Sequence, residues 1–205
     1  MSSTIRASAT SISLKFQEMN IRSIYGLAAA GILLCACQSN SYQVDGYAHA
    51  YADGDTVCLM KEGEQQPIAI TTVKEGKFTF YGEIKETDFY CVMAKQAPDC
   101  QVSFFTEPGV TTIELNTEPG TSRVSGTRLN NEWQQLNDSV AMLGNKIALL
   151  LRHPAADTTA QKALATSVDS LHRRMSDCIL NTAQRNKDNP LGRYINENYK
   201  APEFK

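Results

Sequence analysis

Reactive groups are scarce in this chain, which holds three histidines and one tryptophan among 205 residues. His49, His153 and His172 lie far apart, with no cysteine or carboxylate at metal-ligand spacing, so no metal centre is expected. Beyond Cys37, the cysteines Cys58, Cys91, Cys100 and Cys178 never form a Cys-x-x-Cys pair. That excludes a thioredoxin-type redox centre and a zinc knuckle in this region. No serine sits in a Gly-x-Ser-x-Gly elbow, and the glycines form neither a P-loop nor a dinucleotide fingerprint. The longest basic cluster is Arg173-Arg174, too little to neutralise a phosphate backbone, so nucleic acid is excluded as a partner. No catalytic, cofactor-binding or metal-ligating residue can be named, and a non-enzymatic protein is expected.

The most informative feature that is present lies near the N-terminus. Residues 24–34 form an eleven-residue apolar run preceded by Arg22. It is too short to span a bilayer and has the form of a secretory signal peptide. Leu34 and Ala36 stand three and one positions before Cys37, the lipobox pattern of bacterial lipoproteins. Cys37 is therefore the expected lipidation residue and the mature N-terminus. Residues 1–18 put a Ser/Thr-rich stretch ahead of the charge, and Met19-Asn20-Ile21-Arg22 makes the more compact start, so translation is expected to begin at Met19. Gln38-Ser39-Asn40-Ser41 carries no acidic residue, and a periplasm-facing lipid anchor is expected.

Of 20 basic and 22 acidic residues, residues 1–36 hold three and one, leaving 169 residues with 17 and 21, net −4. That length suits one core with an appended helical part. The expected organisation is a signal peptide over 1–36, a lipidated tether over 37–41, a β-sandwich over 42–126 and a helical region over 127–205.

The sandwich is read from seven or eight short strands separated by turns. Asp53-Gly54-Asp55, Lys74-Glu75-Gly76 and Glu107-Pro108-Gly109 supply turn chemistry. Aromatic and β-branched residues fill the strands between them. Asp53 and Asp55 are too few oxygens for a calcium loop and are assigned to the hairpin. A turn centred on Ala97-Pro98 would pair residues summing to 195, setting Cys91 opposite Phe104 and about 13 Å along the sheet from Cys100, too far for a disulfide. Tyr42, Tyr47, Tyr51, Phe78, Phe80, Phe104 and Phe105 are read as core, with a ligand groove as the alternative.

After Gly126 the period changes. Leu129, Trp133, Leu136, Val140, Leu143, Ile147 and Leu150 share one helical stripe. Leu164, Val168, Leu171, Met175, Cys178 and Thr182 share another, capped by Asp157 or Thr158. His153-Pro154 breaks the helix between them, giving an antiparallel hairpin with Cys178 buried in its seam. Asn189-Pro190 opens a short last helix with Leu191, Tyr194 and Ile195 inward. The fold class is α+β: an antiparallel β-sandwich followed by a helical hairpin and a short C-terminal helix.

Four motifs in order, Glu75-Gly76-Lys77-Phe78-Thr79-Phe80-Tyr81-Gly82, Phe104-Phe105-Thr106-Glu107-Pro108-Gly109-Val110, Val124-Ser125-Gly126-Thr127 with Asn130, and Asn189-Pro190-Leu191-Gly192, resemble a domain of unknown function found in envelope lipoproteins. That domain commonly precedes a thioredoxin-like, peroxiredoxin-type domain. The resemblance implies a β-rich domain followed by helices and assigns no catalytic residue. No thioredoxin-like domain follows within this sequence. The function expected is a lipid-anchored envelope protein of binding or scaffold type. One alternative is an accessory module for a thioredoxin-like oxidoreductase, with that protein as partner; the other is a small-ligand-binding lipoprotein.

Overall fold

The computed structural model describes residues 40–152 and 157–199. The expected signal peptide, Met19, Cys37 and the His153-Pro154 break lie outside the described residues.

Eight strands form two four-stranded sheets. β1 (Ser41–Tyr47), β4 (Lys77–Glu83), β7 (Gly109–Glu114) and β8 (Arg123–Ser125) make one, in the order β4-β1-β7-β8. β2 (Thr56–Lys61), β3 (Pro67–Thr72), β5 (Phe89–Ala94) and β6 (Ala97–Phe105) make the other, in the order β3-β2-β5-β6. The alternation in β1 explains how a strand feeds the core: Tyr42, Val44 and Gly46 are buried while Ser41, Gln43 and Asp45 lean outward. Tyr42 lies across Gly82 and Phe78 across Gly46, each aromatic covering the glycine opposite it in the β1–β4 ladder.

Two details depart from the sequence reading. The β1–β7 pair is parallel, with Val44 opposite Thr111 and Gly46 opposite Ile113, because β6 hands the chain to the other sheet through Glu107-Pro108 before β7 enters beside β1. The β5–β6 hairpin turns at Lys95-Gln96, two residues earlier than expected, with Ala94 opposite Ala97, while farther from the turn Cys91 faces Ser103. Beyond Val92 the register shifts, and residues 98–101 of β6 bulge out of the ladder. Pro98 lacks the N–H that a regular ladder needs there. The four described cysteines are free thiols.

Three helices follow: α1 (Arg128–Leu151), α2 (Thr158–Arg185) and α3 (Pro190–Asn198). Asp157 caps α2, its carboxylate accepting from the Ala160 N–H. Leu129, Trp133 and Leu136 join the sandwich core, together with Ala183 of α2 and Leu191 and Ile195 of α3. Farther along α1, Leu143 and Ile147 are buried outside that core, near the facing stripe of α2, where Met175 reaches Gly144. The stripe on α2 is the expected one but only half covered. Leu164, Val168, Leu171, Met175 and Cys178 are all half-buried, because two helices alone cannot enclose a seam. Cys178 is thus at a margin and not in a sealed interior.

Contacts with β8 fix the direction of α1. The helix starts beside Ser125, accepts the Val124 N–H through Gln134 and reaches Arg123 through Asp138, so it runs against β8. β8 runs against β7 and β7 runs with β1. Helix α1 therefore travels in the direction of β1, and the far end of the hairpin lies opposite the end where β1 begins.

Candidate functional site

Residues of three of the four resembling motifs gather at two joints. At the first, the Glu107 carboxylate accepts the Leu129 N–H at 2.8 Å and caps α1, a task Thr127 leaves undone. Gly126 has φ +108°, and a Cβ there would stand 2.4 Å from the Val110 carbonyl oxygen. Asn130 is fully buried and joins helix to sheet. Its Oδ1 accepts the Phe105 N–H at 2.7 Å, and its Nδ2 donates to the Phe105 carbonyl at 2.9 Å and to the Thr127 hydroxyl at 2.7 Å. One amide side chain thus stands in for a neighbouring strand at the end of β6. Trp133 Nε1 donates to the Ser103 carbonyl at 3.2 Å, and its ring meets Phe89, Phe105 and Tyr194 edge to face.

At the second joint, Asn189 Oδ1 accepts from the Leu191 and Gly192 N–H groups and so caps α3. Asn186 Nδ2 donates to Glu132 at 2.6 Å, tying the end of α2 to α1. Asn130, Asn186 and Glu107 were not legible as partners in the sequence. An asparagine between Leu129 and Trp133 on a buried helical arc is the only local hint, since its partner is 25 residues away.

The residues weighed as site candidates have structural duties. Six of the seven aromatics are buried, and Tyr47 alone is exposed, with the Lys77 ammonium 5.9 Å from its ring centre. The six buried aromatics belong to the sandwich core. Asp53 accepts the Glu75 N–H at 2.8 Å and Asp55 the Ala52 N–H at 2.9 Å. Both aspartates hold turns; the former also steadies Glu75 at φ +53°. His49 and His172 are exposed, and no group of three or more His, Cys, Asp or Glu side chains gathers among the described residues.

What remains is surface. An open cleft of about 480 Å³ crosses the start of β1, where Gln43 lies between its ladder partners Tyr81 and Val110. Tyr42, Gly82 and Gly109 also line it. A smaller polar groove of about 260 Å³ follows β8 and α1, spanned by the Arg123–Asp138 ion pair. That guanidinium, with a hydrogen bond from Gln134, holds the Asp138 carboxyl below its ordinary range despite partial burial. On the other sheet, Tyr194 donates to Glu62 at 3.1 Å, and burial with that neighbouring negative charge pushes its hydroxyl far above the usual phenol range.

Cys91 stands near the same carboxylate. Burial first, and Glu62 second, push its thiol up, so the thiolate is rare at neutral pH. Alkylation of Cys91, followed by mass spectrometry, is expected to be slow at pH 7 and to accelerate about tenfold per pH unit toward pH 9. A rate that is flat across this range would show a thiol already ionised.

Residues 42–133 match the family model of a domain of unknown function, DUF4369. The match covers the sandwich and the first turns of α1, ending at Trp133, and it agrees with the resemblance drawn from the motifs. No curated protein matches the chain.

Proposed function

We propose that this chain, carrying that domain of unknown function, is a lipid-anchored protein of the bacterial cell envelope that works by binding or scaffolding and not by catalysis. The observation that carries the reading is the opposed polarity of the domain. β1 begins four residues after Cys37, a reach of at most about 14 Å. The α1–α2 hairpin runs toward the other end and carries exposed Met142, Leu149 and Leu151. A lipid on Cys37 would hold the β1 end at the membrane surface, leaving the hairpin directed away from it to meet a partner. In an accessory role beside a thioredoxin-like protein, the reacting thiols would belong to that protein, since Cys58 and Cys100 are buried and Cys91 resists ionisation.

Fractionation tests the anchor. The wild-type chain is expected in the membrane fraction after a high-salt wash, and Cys37→Ala in the soluble fraction. A Cys37→Ala chain that stays with the membrane would overturn the reading.

A further inference from the structure

The β2–β5 ladder carries four sulfurs on the face of its sheet that points away from the sandwich. Leu59 lies opposite Val92, and both belong to the core, so Cys58, Met60, Cys91 and Met93 project from the other face. The register sets Cys58 opposite Met93 and Met60 opposite Cys91. Opposed side chains in an antiparallel pair start about 5 Å apart, and alternate positions along one strand about 7 Å apart. The result is a two-by-two array in which each thiol has one methionine across the ladder and the other two positions along its own strand. Methionine, with three rotatable bonds, can span either spacing. Cys58 is buried and the other three are half-buried, with Ile70 of β3 beside Cys58 and Ser103 of β6 beside Cys91.

Thiolate and thioether sulfurs select soft cations, Cu(I) above all. Zinc needs more thiolates, imidazoles or carboxylates than this array holds, and no group of three such side chains gathers among the described residues. Burial, and after it the Glu62 carboxylate, push the Cys91 thiol up; the same negative charge attracts a cation. Metal-ligand spacing in the sequence missed this set because two of its members are methionines and its halves lie on strands far apart in the chain. We propose that the Cys91 thiolate and the thioethers of Met60 and Met93 bind one Cu(I) ion, with Cys58 at the fourth corner of the array. Binding replaces the Cys91 thiol proton, which leaves to water, and the copper stays Cu(I).

The test uses the full chain with Cys35→Ser and Cys37→Ser, which leaves Cys58, Cys91, Cys100 and Cys178 as its thiols. Without oxygen, one equivalent of Ag(I), a redox-inert substitute for Cu(I), is expected to shift the methyl NMR signals of Met60 and Met93 and to leave those of Met142 and Met175 in place. In competition with a chromophoric Cu(I) chelator under ascorbate, the chain is expected to hold one Cu(I). Met60→Leu with Met93→Leu conserves volume, so the metal-free thermal midpoint should stay nearly unchanged while Cu(I) affinity falls at least about tenfold. Cys91→Ser should weaken binding at least as much. The proposal is overturned if no methyl shifts, if Met142 or Met175 responds as strongly as Met60 and Met93, or if Cu(I) affinity survives the paired leucines, which would assign the metal to scattered thiols alone.

Discussion

Asn130→Ala is expected to lower stability by about 3–4 kcal/mol, which for a domain of this size is a fall of about 10 °C in thermal midpoint. The substitution orphans both the N–H and the carbonyl of Phe105, and it strips the Thr127 hydroxyl of its donor. Each buried group left without a partner costs about 1–3 kcal/mol, whereas the methylene lost from the side chain is a lesser matter. Trp133, the sole tryptophan, is one helical turn away and packs on Phe105, so its fluorescence reports the joint directly. Asn130→Asp separates the two directions of hydrogen bonding. The carboxylate keeps the acceptor for the Phe105 N–H but confronts the Phe105 carbonyl with a negative oxygen. Its folded-state pKa is therefore raised above the unfolded value of about 4, and the variant should lose stability as pH climbs from about 4 toward the folded value and regain it in acid, where the carboxyl is protonated and donates. Equal stability of Asn130→Ala and wild type in a thermal melt would mean that the helix base is held by apolar contact alone.

Gly192→Ala is the second large effect. A Cβ at Gly192 would lie 2.1 Å from the Asn186 carbonyl oxygen and 2.4 Å from its carbon. Both are backbone atoms at the end of α2, so no side-chain rotation relieves the overlap. Helix α3 would have to lift, carrying with it Leu191 and Ile195, which are almost completely buried. The expected loss is about 2–4 kcal/mol, read as a lower urea midpoint, together with faster proteolysis around α3. A midpoint shift smaller than about 0.5 kcal/mol would show that α3 is free to slide on α2.

Both positions belong to the motifs that made the sequence resemble a known domain, and this bears on what could be read from it. Local signals translated well. The stripe from Leu129 to Ile147, the cap at Asp157, the cap at Asn189 and the turn at Asp53-Gly54 depend on neighbours within a few residues, where periodicity and turn chemistry act. Strand partnership did not translate. β1 finds β7 more than sixty residues later and runs parallel to it, and nothing in either strand states that direction. The β5–β6 register moved because the turn closed early and Pro98 fell in a bulge, a competition between two turn positions that alternation alone does not decide. The depth of burial in the hairpin was also illegible: a stripe shows which face of a helix is apolar, but how many helices cover it is a property of the assembly. The candidate site was least legible of all, because motif residues that invited a functional reading are spent on joining helices to sheet.

The position of β1 has a mechanical consequence. The strand nearest the N-terminus is bonded on both sides, antiparallel to β4 and parallel to β7. A pull transmitted along the chain into Ser41 would act along the strand, at right angles to the ladder bonds of β4 and close to that for β7. Both ladders would be loaded in shear and share the force, whereas a tethered edge strand could be peeled away one bond at a time. Were the chain held from its N-terminal side, this arrangement would resist unravelling from that end.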